Sequence, residues 1–126
     1  MNKLNIEPIT QGKVSIEVKD TPTGVAVVIV GDIDMQDPSV LLDPLFEKIH
    51  TGSIEHGFKT VEANVRQLTF LNSSGIKAIA KWIMKLPSVP ADKKYQIKIQ
   101  QNKDITWQAT SLQTLTFLVP SGVVIE

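Results

Sequence analysis

The chain has 126 residues, enough for one domain with its own core, and no cysteine, so disulfides, thiolate metal sites and cysteine nucleophiles are excluded. Thirteen basic and thirteen acidic side chains cancel, so the basic surplus that drives phosphate-backbone binding is missing and nucleic acid is not an expected partner. The stretch Met1 to Thr10 carries no apolar segment of the secretory kind, and the longest apolar run, Val25 to Val30, is far too short to span a bilayer. A cytoplasmic location is expected.

In chain order, Val14, Ile16 and Val18 alternate with Ser15, Glu17 and Lys19, which predicts a half-buried strand. A turn at Thr21–Gly24 leads into Val25–Val30, a continuous β-branched run that predicts a strand buried on both faces and hairpinned to the first. Gly31-Asp32-Ile33-Asp34 leaves that strand. A helix is expected from about Ser39 to His50, with Leu42, Leu45, Phe46 and Ile49 on its apolar face. Pro44 marks either its true first turn, with Asp43 as N-cap, or a kink in a longer helix. His50 is expected at the helix end, and Thr51 to Phe58 as a connection.

Thr60 to Val65 reads as a third strand, extended by Leu68-Thr-Phe-Leu71. A helix follows from about Ser73 to Leu86. Ile76, Ile79, Ala80 and Ile83 form its apolar face, Lys77, Lys81 and Lys85 its wet face, and Pro87 its stop. Tyr95, Ile97 and Ile99 predict a fourth strand. Asp104 is expected to cap a last helix carrying Trp107, Leu112, Leu115 and Leu118, before a short strand at Val123–Glu126. Trp82 and Trp107 are expected at the edge of the core. The order ββαβαβαβ predicts a single α/β domain, a sandwich with a mixed, mainly parallel sheet.

Catalytic and metal-binding residues are not in view. His50 and His56 fit no triad or ligand spacing, and Asp32, Asp34 and Asp37 lack the glycine and terminal glutamate of a calcium loop. No cofactor is expected, because the chain has no glycine-rich phosphate loop.

The segment Thr60 to Ile83, TVEANVRQLTFLNSSGIKAIAKWI, carries the most information. Asn72-Ser73-Ser74-Gly75-Ile76 follows a strand and opens an amphipathic helix. Together with Gly31-Asp32-Ile33-Asp34 upstream, it resembles the signature of the STAS family, the domain of sulphate transporters and anti-sigma-factor antagonists. The resemblance covers residues 14 to 119, and it implies the same α/β fold. It further implies a bacterial signalling protein, not an enzyme, that binds partner proteins as a monomer or weak dimer. The partners implied are a serine kinase of the GHKL type, a phosphatase and a downstream effector. The first hydroxyl after the signature's acidic position is the family's phosphorylation site, which carries over to Ser73, with Ser74 second. Asp32, Asp34, Asn72, Ser73, Ser74, Gly75, Lys77 and Lys81 are the expected docking residues. Two positions depart from the family pattern: Asn64 and Asn72 stand where the family has Asp, and an amide orients a hydroxyl more weakly than a carboxylate does. A constitutive scaffold without phosphorylation, or a subunit associated with lipid or anion transport, are the alternatives.

Independently of the resemblance, Asn and Ser are strong N-cap residues, and a phosphate placed at a helix start gains from free N–H groups and the helix dipole.

Overall fold

A computed structural model describes residues 2–126; Met1 lies outside them. Six strands and three helices follow in the order β1 Ile9–Gln11, β2 Val14–Thr21, β3 Gly24–Ile33, α1 Ser39–His56, β4 Thr60–Leu71, α2 Ser73–Ile83, β5 Gln96–Gln100, α3 Thr106–Leu115 and β6 Val123–Ile125. The expected order thus gains one short strand at its front. The strands lie side by side in chain order, β1 to β6. The first two pairings are antiparallel and the last three parallel, so the sheet is mixed and mainly parallel as the alternation of elements implied.

Register explains the core. Val18, Val27, Ala63 and Ile99 form one cross-strand row, and Val25, Val61, Ile97 and Val123 another. All are buried, and they face Leu42, Phe46, Ile49, Ile79, Trp82, Ile83 and Leu112 from the helices. The opposite face carries Glu17, Val28, Asn64 and Gln100, none of them buried. Strand β3 is therefore not buried on both faces. Ala26, Val28 and Val30 are only half-buried, in a run whose β-branched residues suit a pleated strand whichever face is covered.

Helix α1 runs six residues past the expected end. Thr51-Gly52-Ser53 has poor intrinsic helix propensity, but tertiary contacts carry the helix through it. Gly52 packs against Leu4, and Ser53 Oγ donates to Ile49 O at 2.6 Å. Gly57, in the left-handed conformation, ends the helix. Pro44 lies inside α1, and Asp43 is not its cap. Helix α2 ends at Ile83, ahead of a 3₁₀ turn at Leu86–Ser88 that contains Pro87. Its buried face is Gly75, Ala78, Ile79, Trp82 and Ile83, so Ile76 and Ala80 sit at the margin. In α3 the N-cap position falls on Ile105, and Asp104 caps nothing; Leu118 lies beyond the helix and is exposed.

Trp82 is the centre of the core rather than its edge. It is 1% exposed, its ring stacks on Phe46 with centroids 4.7 Å apart and planes 11° from parallel, and its Nε1–H donates to Tyr95 Oη at 2.9 Å. Indole nitrogen is a donor only. The Tyr95 hydroxyl also hydrogen-bonds to His50 Nδ1, 2.7 Å away. Burial first, then the nearby Lys85 cation, hold His50 below its ordinary value of 6.5, with Glu47 opposing. His50 therefore lies inside α1 rather than at its end, where burial disfavours the cation that a helix end would favour.

Because the folded-state value is depressed, the unfolded chain binds the extra proton first. Stability from this group is complete above about pH 6.5 and is lost as pH falls from there through the folded value. Urea titrations at pH 7.5 and 5.5 are expected to show the wild type losing stability at the lower pH. His50→Gln, which keeps a hydrogen-bond partner for Tyr95, is expected to lose measurably less over the same interval. Equal losses would mean that His50 does not carry the effect.

Candidate functional site

The parallel strands β3 and β4 deliver their C-terminal ends to one edge of the molecule, where α1 and α2 both begin. The sequence signature lies there, and its residues are held as follows.

Asn72 caps α2. Its Oδ1 accepts the Gly75 N–H at 2.8 Å, and its Nδ2 donates to Met35 O at 2.8 Å. The amide therefore ties the helix start to the segment leaving β3 and uses a donor that a carboxylate lacks. This gives a physical reason for Asn at this position. Gly75 allows a close approach: a Cβ there would stand 2.3 Å from Leu71 Cδ1, and the leucine side chain would have to shift.

The Ser73 and Ser74 hydroxyls are exposed and make no side-chain hydrogen bond among the described residues. The Ile76 N–H bonds to Asn72 O at 3.1 Å, and with Gly75 satisfied by the cap, the Ser73 and Ser74 N–H groups remain as the free donors of the helix start. Ser74 lines a shallow groove of about 210 Å³ with Asp37, Ser39, Asp43, Lys77, Ala78 and Lys81.

The acidic residues go to separate partners. Asp32, the penultimate residue of β3, accepts from Thr69 Oγ1. Its own N–H reaches Lys13 O at 3.0 Å. The close approach is possible because Gly31, at φ 106°, has no Cβ to strike that carbonyl. Asp34 pairs with Lys13 at 3.1 Å, an exposed contact that raises the lysine's pKa through the hydrogen bond first and the charge second. Asp37 accepts from Ser39 Oγ. The three aspartates thus each have a different partner.

The lysine stripe is only partly free. Lys81 pairs with Asp43 at 2.8 Å, joining α2 to α1, and Lys85, just past the end of α2, pairs with Glu47. Exposed pairs of this kind contribute little to stability, about 0–1 kcal/mol each. Lys77 has no ion pair among the described residues and stands one turn after Ser73.

Asn64 is not part of this site. Its Oδ1 accepts the Arg66 N–H at 3.1 Å at an irregularity in β4. It pairs with Val28, whereas the strand end at Leu71 pairs with Ile33, so roughly 16 Å of strand lies between them. Sequence reasoning missed Met35, Lys13 and Thr69 because each contributes through a contact distant in the chain.

Replacing Asn72 with alanine is expected to cost about 1–2 kcal/mol through loss of the cap. Asn72→Asp keeps the acceptor and gains from the dipole, but sets an oxygen against Met35 O, and its stability is expected to fall between the two. Urea unfolding decides the order. An Asp variant as stable as the wild type would mean that the bond to Met35 contributes nothing.

With this geometry in hand, the fold can be compared with known ones. No protein-family model matches the sequence, and no curated protein does. Solved structures do. An anti-sigma factor antagonist from Mycobacterium paratuberculosis superposes with a TM-score of 0.57 at 17% identity, over 88% of this chain and 85% of that one. The anti-sigma factor antagonist SpoIIAA in its unphosphorylated form gives 0.59 at 16% identity, over 88% and 87%. The chain thus has the STAS-type fold of anti-sigma-factor antagonists. Among the described residues, no helix is long and apolar enough to cross a membrane.

Proposed function

We propose that this chain is a cytoplasmic signalling protein of the anti-sigma-factor-antagonist type, whose surface around Ser73 docks a partner protein and is released by phosphorylation of Ser73. The observation that carries the reading is the state of the helix start: an exposed, uncommitted Ser73 hydroxyl beside two free N–H donors on a firmly capped helix. A phosphate there has donors and a favourable dipole, so it can be added without unfolding the domain. It brings about −1.5 to −2 charges, which a docked surface must desolvate or repel. Lys77, four residues on, lies within reach of it. On Ser74 the phosphate would enter the groove beside Asp37 and Asp43, so Ser73 is the better acceptor. The fold supports the reading, and SpoIIAA, which shares it, is described in an unphosphorylated form. A serine kinase of the GHKL type, a phosphatase and a downstream effector complete the proposed circuit. Asp32, Asp34, Lys77 and Lys81 stand on the rim that the partner would meet.

One observation favours a second reading, a constitutive docking scaffold. Asn72 spends both ends of its amide on backbone, so it does not orient the Ser73 hydroxyl.

The deciding experiment is intact mass and peptide mapping of the protein isolated from its own cells under several growth conditions. A phosphate on the Ser73 peptide is expected. Unmodified protein under all of them would reject the switch and leave the scaffold.

A further inference from the structure

Strand β5 accompanies β4 only from Thr60 to Asn64, whereas β3 accompanies it to Leu71. Beyond Asn64, one edge of β4 therefore has no neighbouring strand. Its carbonyls are satisfied instead by side chains from the segment that starts α3. Gln108 Nε2 donates to Val65 O at 2.6 Å and to Leu68 O at 3.2 Å. Asn102 Nδ2 donates to Arg66 O at 3.0 Å, and Trp107 Nε1 to Thr69 O at 2.9 Å. Gln108 is 0% exposed, and its Oε1 accepts the Asn102 N–H at 2.8 Å, so the buried amide is satisfied at both ends. The two irregularities in the β3–β4 register fall across these same residues. On the other edge Thr69 Oγ1 reaches Asp32 and lies 3.1 Å from Gly31 O. Thr69 is thus gripped from both sides, three residues ahead of Asn72.

We infer that Trp107 and Gln108 are positioning residues of the Ser73 turn: by holding the free edge of β4 they fix the strand end from which the cap of α2 is built. Helix α3, as well as α2, then sets how the Ser73 hydroxyl is presented. The inference rests on the proposed role of Ser73 for its functional meaning, but its geometry is independent of that role.

The test uses the full unmodified chain, labelled for NMR. Trp107→Phe keeps an aromatic ring and removes only the Nε1–H donor; Gln108→Met matches length and removes the amide. The readouts are amide exchange at Gly75, which reports the Asn72 cap, and the resonance of the Asn72 side-chain amide. Trp107→Phe is expected to speed Gly75 exchange roughly five-fold relative to the β2–β3 ladder, the equivalent of one ordinary hydrogen bond, and to move the Asn72 resonance. Gln108→Met is expected to act in the same direction and more strongly. Should it fail to fold, Trp107→Phe alone decides. Unchanged Gly75 exchange, or a change only in step with the β2–β3 ladder, would overturn the inference. Phosphate mapping at Ser73 is a separate measurement, so a Gly75 response in a never-phosphorylated protein rejects the switch while keeping the positioning, and the reverse pattern rejects the positioning alone.

Discussion

Trp82→Ala is expected to lower the unfolding free energy by about 3–5 kcal/mol, the usual cost of emptying a large aromatic site. Domains of this kind are held by about 5–15 kcal/mol in total, so the variant should sit near the limit of folding. Three losses combine in it. The ring's burial against the sheet is lost. The stack on Phe46 is lost. The Tyr95 hydroxyl, which burial pushes well above its ordinary pKa, keeps its bond to His50 but loses the indole donor. Trp82→Phe separates these effects. It retains a ring against Phe46 and removes the N–H, so a cost of about 1–2 kcal/mol is expected. Urea unfolding followed by circular dichroism measures both, and the midpoint should fall with the slope unchanged. An alanine variant within 1 kcal/mol of the wild type, on the same scale, would mean that the core closes over the gap.

The second large effect concerns binding rather than folding. With the partner recovered from cells on the unmodified chain, phosphorylation of Ser73 is expected to weaken binding about 100-fold, equivalent to about 2.7 kcal/mol. Ser73→Asp carries a single charge and is expected to cost roughly 10-fold, with higher salt reducing the loss. Ser73→Ala is expected to bind as the wild type does. Stability should move the other way: an acidic group at this helix start is expected to leave the fold unchanged or raise its stability by about 0.3–1 kcal/mol. Weaker binding without weaker folding is therefore the signature of the switch. Equal binding by the Ala and Asp variants would instead identify the constitutive scaffold.

The strands were legible in the sequence where period-two alternation met a covered face, as in Val14, Ile16 and Val18, and the helix start was legible because Asn-Ser-Ser-Gly is local cap chemistry. What escaped was set by contacts distant in the chain. Helix α1 passes through Thr51-Gly52-Ser53 because Leu4 packs there, 48 positions away. Strand β1 is three residues long, too short for any period to show. Trp82, expected at the edge of the core, lies next to the lysines at 77, 81 and 85; only the facing Phe46 and Tyr95 reveal it as the centre. At the candidate site, the exposed hydroxyls and the cap were readable. The second bond of Asn72, to Met35 O, was not, and neither was the separation of Asn64 from the turn, since a family pattern gives spacing along the chain and not distance in space.

The two ion pairs that α1 makes, with Lys81 of α2 and with Lys85 just past it, are periodic in a way that leaves them indifferent to alignment. Acidic groups recur at 43 and 47, and lysines at 77, 81 and 85. If α2 slid by one turn along α1, about 5.4 Å, Lys77 would meet Asp43 and Lys81 would meet Glu47, with the same number of pairs and the surplus lysine moved to the other end. Charge alone cannot count the turns. The counting is done by Phe46 on Trp82, a contact that occurs at one alignment only, so the aromatic pair acts as the detent that locks a sliding scale.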